Sequence, residues 1–447
     1  PGILIIGHMW TYYPELLQRP VPRYTSYPTA ADFRPSVGQE DLAGALRGVG
    51  KCTPLSLYVH IPFCEEICWY CGCNTARSNK QSRLTSYLDA LYREIEMVSS
   101  LLEGRGRVQR ISFGGGSPNA LDPLDFVRLL GDLTVTFNAQ QPLISLEVDP
   151  RRLSPAWLRV IESARVSNVS LGVQTFDAAV QQAIGRVQPL DVIATLTKRL
   201  RAAGVKSLNF DLMYGLPGQD MTSLTDTLTQ AIDMRPDRVA LFGYAHVPNV
   251  IARQRRIDAS ALPDESERFL MANIGHELLM ANGYRAVGFD HFALPHDPMA
   301  VAARTHTLNR NFQGFTDDSA EYVIGLGASA ISQFPGLYVQ NAKNIGEYRQ
   351  AIKVGHLPVE RGIVRDVESR ACGAVIRDIL CDGEAELPSR LRSEQSEQLD
   401  QFVRRGLVST SAGRLHLKPA AAPYARTIAA IFDPRLMEQH GRFSAPV

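Results

Sequence analysis

The sequence predicts an α/β fold: a partial (βα)6 barrel with an N-terminal arm and a mostly helical, winged-helix-like C-terminal domain. Three observations predict it. Six short apolar runs rich in β-branched residues recur up to residue 244. Segments with apolar residues at helical spacing separate them, and the unusual polar or glycine-rich residues follow each run at its C-terminal end. Strand and helix alternating at a period of about 30–40 residues is the pattern of parallel βα units.

The runs are 55–63, 108–113, 144–148, 166–173, 207–213 and 239–244. Between them lie helical patterns such as Leu84, Leu88, Leu91 and Ile95. Six units are fewer than the eight of a closed barrel, so an open doubly wound sheet and a partial barrel both fit the count. The polar strand ends favour the barrel: His60 to Cys73, Gly114 to Gly116, Glu147 with Asp149, Gln174, Asp211 with Tyr214, and Tyr244 with His246 would form one catalytic face.

The pattern changes after about residue 255, with an amphipathic helix near 265–280 and then loops or caps around 288–292 and 309–314. From about residue 360 the chain is mostly helical and ends in a short hairpin wing near 406–417. The expected division is therefore 1–50 for the arm, 51–255 for the barrel, 256–359 for its extension and 360–447 for the C-terminal domain. Residues 1–8 precede Met9 and do not enter the fold reading.

The chain has 447 residues, 45% of them hydrophobic, enough for a sizeable core. Lys and Arg total 47 against 46 Asp and Glu, so the net charge of +1 supplies no bulk field for nucleic acid or an anionic membrane. The wing adds only Arg414 and Lys418, which argues against DNA contact. No apolar run approaches the roughly 18 residues of a membrane span, and 1–6 lacks the features of a signal peptide. A cytoplasmic monomer is expected.

Of seven cysteines, Cys64, Cys68, Cys71 and Cys73 fall within ten residues, just after a predicted strand. Three thiolates at C-x3-C-x2-C spacing can hold three corners of a [4Fe–4S] cubane. Zinc is the competing reading, but no second ligand pair stands elsewhere in the sequence. With three ligands the fourth iron is open to a chelating molecule such as S-adenosylmethionine. Cys73 is the alternative fourth ligand, though it lies awkwardly close to Cys71. The turn Gly114-Gly115-Gly116-Ser117-Pro118, one unit later, lets backbone groups approach an amino acid moiety. His60 reads as a buried or supporting residue, Cys372 and Cys381 as buried small apolar groups, and Asp290 with His291 as either loop-ordering or proton-transferring.

The cysteine spacing with the glycine turn resembles the radical S-adenosylmethionine superfamily, whose fold is a partial (βα)6 barrel. More narrowly, Pro22-Arg23-Tyr24-Thr25-Ser26-Tyr27-Pro28-Thr29, Tyr58-Val59-His60-Ile61-Pro62-Phe63-Cys64, Cys71-Gly72-Cys73-Asn74, Asp211-Leu212-Met213-Tyr214-Gly215-Leu216-Pro217 and Asn311-Phe312-Gln313-Gly314 resemble the oxygen-independent coproporphyrinogen III oxidase family. The resemblance runs from about residue 20 to about 435.

It implies conversion of two propionates of coproporphyrinogen III to vinyl groups, giving protoporphyrinogen IX through a 5′-deoxyadenosyl radical, with an electron donor and acceptor that the sequence does not name. It makes Cys64, Cys68 and Cys71 the iron ligands and gives Tyr58 a catalytic position beside the cofactor. It sets Gly115, Gly116, Ser117, Glu147, Gln174, Arg186 and Asp211 around one S-adenosylmethionine, and Ala245, Gln313 and Ile331 around a second. Arg23 and Tyr24 match a segment that closes over the porphyrinogen. Two departures, Ser117 for a common threonine and Trp69-Tyr70 for a Tyr-Phe pair, keep the chemistry. A haem-binding chaperone of the same superfamily is the alternative, but such relatives typically lack the 23–28 segment and Cys73; an enzyme acting on another tetrapyrrole is a further one.

Overall fold

Six strands form where the apolar runs predict them: β1 (Pro54–Ile61), β2 (Arg107–Gly115), β3 (Leu143–Val148), β4 (Asn168–Gln174), β5 (Ser207–Tyr214) and β6 (Arg238–Gly243). Each pairs in parallel with the next, so their order across the sheet is their order in the chain. A doubly wound sheet reverses that order at a switch point. This sheet does not, and the ambiguity left by the strand count resolves to the barrel type. The computed structural model describes residues 10–78, 80–388 and 393–436; the expectations for the extreme N-terminus and for the tail ending at Val447 lie outside the described residues.

Strand side chains alternate between two faces. Leu57, Val59 and Ile61 of β1 and Val169, Leu171 and Val173 of β4 are buried under the helices. The helices that cover them include Gln81–Leu102, Pro123–Thr136, Leu190–Ala202 and Met221–Asp233. Several begin on local caps: Asp122 accepts from the Leu124 N–H, Ser154 from Trp157 and Asp220 from Ser223. The opposite face of the strands carries Tyr58, Ser112, Glu147, Ser170 and Asp211, so the barrel interior is polar. Deeper in that interior, Arg110 pairs with Asp317 at 2.7 Å and Arg238 with Asp297 at 2.7 Å.

The extension holds more strand than the sequence suggests. His291–Ala293 (β8) pairs antiparallel with β6 and carries Arg285–Val287 (β7) antiparallel on its other side. On the other edge Tyr322–Leu326 (β9) pairs in parallel with β1, followed by antiparallel β10 (Ile331–Phe334), β11 (Leu337–Asn341) and β12 (Val359–Val364). The result is a 12-stranded sheet in the order β12-β11-β10-β9-β1-β2-β3-β4-β5-β6-β8-β7. The 288–292 and 309–314 segments, expected as loops or caps, thus contribute β8 and a hairpin of Asn309–Asn311 with Gly314–Thr316. Strands of three residues are too short to show alternation, which is why periodicity missed them.

The helix expected near 265–280 is Glu265–Ala281, capped by Asp264 and Glu267. Beyond it, helices Val367–Asp382 and Ser393–Arg404 alternate with a three-stranded sheet of Glu384–Glu386, Arg414–Leu417 and Val408–Ser411, the expected winged shape. The N-terminal arm binds to this region: Tyr24, buried, donates its hydroxyl to Asp433 at 2.9 Å.

Candidate active site

β1 runs into Phe63–Cys64, which pairs in parallel with Ala76–Arg77 and so closes the cysteine loop on itself. Trp69 N–H donates to the Ile184 carbonyl at 3.0 Å, tying the middle of the loop to the segment after β4. Cys64, Cys68 and Cys71 are free thiols that line one cavity of about 470 Å³ at the C-terminal ends of the strands. Each sulfur receives a donor. Ser117 Oγ lies 3.8 Å from Cys64 Sγ, Arg186 Nη1 3.2 Å and Arg151 Nη2 3.5 Å from Cys68 Sγ, and the Cys73 N–H 3.4 Å from Cys71 Sγ. Such donors stabilise thiolate charge. The Cys73 thiol also donates to Cys71 and, against the opposing effect of burial, brings it down to about 6, whereas burial pushes Cys64 up to about 11.

Among the described residues, no group of three His, Cys, Asp or Glu side chains converges on a single-ion site. Three soft thiolates spread around a cavity fit a polynuclear cluster, in which each sulfur binds a different iron.

The glycine turn packs directly on this loop. Gly116 N–H donates to the Ile61 carbonyl at 2.8 Å, and Ser117 N–H to Phe63 at 2.7 Å. A Cβ on Gly116 would stand 2.5 Å from the Phe63 oxygen. Gly115 has φ +104, and a Cβ there would enter the His60 ring at 2.3 Å. We therefore expect Gly116→Ala to lower stability by about 1–3 kcal/mol through forced backbone displacement. Thermal unfolding of the cluster-loaded protein checks this, and an unchanged midpoint would contradict the packing described.

Facing the turn, Glu147 on β3 accepts from the Gly115 N–H at 3.2 Å. Its carboxyl opens to the cavity, walled by protein; burial and then the charge of Asp211 push it up to about 7. Asp211 accepts from Ser170 Oγ and Asn209 Nδ2, each at 2.8 Å; burial raises its carboxyl nonetheless. Gln174, 8% exposed, holds φ +68 beside a register shift in β4, a strained backbone that turns its amide toward Gly172. Arg186 is buried with its Nη2 2.6 Å from the Gly172 carbonyl and 3.3 Å from Asp149 Oδ1. Asp149 also binds Arg151 at 2.6 Å, and Arg151 reaches Glu66 at 3.0 Å.

The cavity thus gathers Cys64, Cys68, Cys71, Gly115, Gly116, Ser117, Glu147, Gln174, Arg186, Asp211 and Ala245. Gln313 lies on an adjoining cavity of about 200 Å³ that shares Glu147 and Asp211 with the first. Tyr58 and Ile331 line neither: Tyr58 donates to or accepts from His60 Nδ1 at 3.1 Å, and Ile331 packs its backbone against Gly325, the register partner of Tyr58. His60 is buried, and burial lowers it to about 4, so it is neutral and props Tyr58. Asp290 and His291 pair at 2.7 Å. Cys381 is buried and pushed up to about 12, an inert thiol. Arg23 lines the cavity, and its arm is gripped by Arg310, which donates to the Tyr24 and Arg23 carbonyls at 2.7 and 2.9 Å.

Sequence reasoning did not assign roles to Arg151, Arg268 or Arg426. Arg151 stands two residues beyond the polar end of β3, a signal that could have found it. The other two carry no local signal.

An open parallel barrel with a three-thiol loop after its first strand and a glycine cradle after its second defines a radical S-adenosylmethionine enzyme, and residues 58–231 match that superfamily. Such an enzyme uses a [4Fe–4S] cluster and S-adenosylmethionine. The chain is 39% identical over 428 residues to the anaerobic coproporphyrinogen III oxidase 1 of Cereibacter sphaeroides, covering 92% of this chain and 94% of the relative. It is 39% identical over 426 residues to the oxygen-independent coproporphyrinogen III oxidase of Pseudomonas aeruginosa, covering 92% and 93%. The solved coproporphyrinogen III oxidase of Escherichia coli, described as a radical SAM enzyme, superposes with a TM-score of 0.88 at 33% identity, covering 96% of this chain and 100% of that one. The chain belongs to the oxygen-independent coproporphyrinogen III oxidase family.

Proposed function

We propose that this protein converts two propionate side chains of coproporphyrinogen III to vinyl groups, giving protoporphyrinogen IX and two molecules of carbon dioxide. The observation that carries the reading is the single cavity that joins three free thiols, the glycine cradle and Arg186, in a chain that matches named oxidases almost end to end. When bound, the cluster and S-adenosylmethionine supply hydrogen-atom abstraction from an unactivated carbon.

The chain's own residues do the rest. Cys64, Cys68 and Cys71 would hold the cluster, and Ser117, Arg151 and the Cys73 amide donate to their sulfurs. Arg186, held by Asp149 and the Gly172 carbonyl, offers a guanidinium to the methionyl carboxylate. Glu147 and Asp211 accept from hydroxyl or ammonium groups, and Tyr58 is oriented by His60 on the strand that leads to the cysteine loop. Ala245, Gln313 and Ile331 would border a second S-adenosylmethionine. Release of carbon dioxide leaves one electron for an external acceptor.

Among the described residues no helix is long and apolar enough to cross a membrane. The free thiols suit a reducing compartment. We place the protein in the cytoplasm as a monomer that binds no nucleic acid.

Glu147 sets a pH dependence. Its ionised form attracts the ammonium and sulfonium of the cofactor, so S-adenosylmethionine affinity of the cluster-loaded protein should rise up to about tenfold from about pH 6 to about pH 8. Glu147→Gln should flatten that slope, as read by equilibrium binding at each pH; an equal slope in the variant would remove Glu147 from the role. The function itself is tested by expressing the chain in a bacterium lacking its own oxygen-independent oxidase and growing it without oxygen. Restored haem synthesis is expected; no rescue by expressed, cluster-loaded protein would contradict the reading.

A further inference from the structure

A second, smaller cavity of about 50 Å³ adjoins the large one and shares Arg23, Phe242 and Ala245 with it. That volume holds one or two water-sized groups, too little for a macrocycle and suited to one carboxylate. Among the described residues its walls carry three guanidiniums, Arg23, Arg268 and Arg426, and one carboxylate, Asp290. They come from the arm, from helix Glu265–Ala281 and from helix Ala425–Ala430.

Among the described wall residues the cations outnumber the carboxylate. Asp290 is already bound to His291 at 2.7 Å. Arg23 Nη2 donates to the Gly243 carbonyl at 2.8 Å and Arg268 Nη1 to the Tyr244 carbonyl at 2.6 Å, contacts that orient both groups. Arg426 Nη1 is buried with no hydrogen-bond partner, as is Nη1 of the neighbouring Arg310. Burial, followed by the charge of Arg23, pulls Arg426 down to about 10. A guanidinium nitrogen buried without a partner beside other cations raises the free energy of the empty site, and an anion entering it removes that cost.

We propose that the Arg23–Arg268–Arg426 pocket is a carboxylate-binding site that takes one propionate arm of the tetrapyrrole while a different propionate lies in the cavity beside the cysteines. This rests on the function proposed above. A substrate with four carboxylates presents such an arm at every orientation of its ring, and the shared wall at Phe242 and Ala245 leaves the two cavities adjacent. The methionyl carboxylate of a second S-adenosylmethionine has the same chemistry, so the test separates the two.

Cluster-loaded protein saturated with S-adenosylmethionine is titrated anaerobically with coproporphyrin III and with its uncharged tetraamide, for the native chain, Arg426→Gln and Arg426→Lys. The native chain should bind the acid at least about tenfold more tightly than the amide. Arg426→Gln should lose most of that preference by weakening acid binding alone, with Arg426→Lys intermediate. Equal binding of acid and amide to the native chain would overturn the proposal, a comparison that holds even if Arg426→Gln fails to fold. So would a folded Arg426→Gln with undiminished acid binding, or one that loses an equivalent of S-adenosylmethionine while its porphyrin affinity stays. Failure of the native chain to bind coproporphyrin or to convert coproporphyrinogen III would instead overturn the function on which the proposal rests.

Discussion

Cys68→Ala should bind no stable [4Fe–4S] cluster and lose turnover by about 100-fold or more, in step with its iron. Cys68 is the buried member of the three thiols, 6% exposed, and its sulfur is the acceptor for both Arg186 and Arg151. Removing it leaves two thiols to hold a cluster that needs three protein ligands, and takes one acceptor from two guanidiniums that keep Asp149. The fold should survive, because the side chain packs against the cavity and not within the main core. Iron content, the brown absorbance and product formation measured on the same preparation check this. A variant that kept its iron and its rate would remove Cys68 from the ligand set. Cys68→Ser should behave as the alanine does, since a hydroxyl is a poor partner for soft iron.

Arg186→Gln should weaken S-adenosylmethionine binding by about 2–5 kcal/mol while the cluster still assembles. The guanidinium is buried at 6% exposure and is held in place before any ligand arrives by Asp149, Cys68 and the Gly172 carbonyl. A donor so fixed loses little freedom on binding a carboxylate, which is where its affinity comes from. Glutamine is uncharged and shorter. Asp149 retains Arg151 at 2.6 Å, so the stability loss should stay near about 1–3 kcal/mol instead of that of a fully orphaned buried charge. Equilibrium binding alongside thermal unfolding separates the two effects. Normal cofactor affinity in the variant would contradict the assignment.

The six barrel strands were legible because parallel strands covered by helices read as continuous apolar runs, and the polar residues that interrupt them mark the catalytic end. The cysteine loop and glycine turn were legible for a different reason: their chemistry is local, and spacing alone carries it. The strands β7 to β12 were not, since strands of three to six residues, mostly paired antiparallel, leave no period to detect. Gln313 and Ile331 illustrate a middle case. Motif resemblance points to them, yet the fold sets Gln313 on a side cavity and Ile331 two strands from Tyr58, so their place relative to the cysteines came only from the pairing of β9 and β10. That Arg268 and Arg426 join Arg23 in one pocket is the clearest failure of sequence reasoning. They lie far apart in the chain, in three unrelated contexts, and nothing but the tertiary fold shows that their charges meet.

The most direct test is an anaerobic reaction of the iron-reconstituted protein with S-adenosylmethionine, a reductant, coproporphyrinogen III and a cell extract to supply the electron acceptor, with products followed by mass. Protoporphyrinogen IX accumulating together with 5′-deoxyadenosine is the predicted result. 5′-Deoxyadenosine formed while the tetrapyrrole keeps all its propionates would leave the radical machinery standing and contradict the assignment of the substrate.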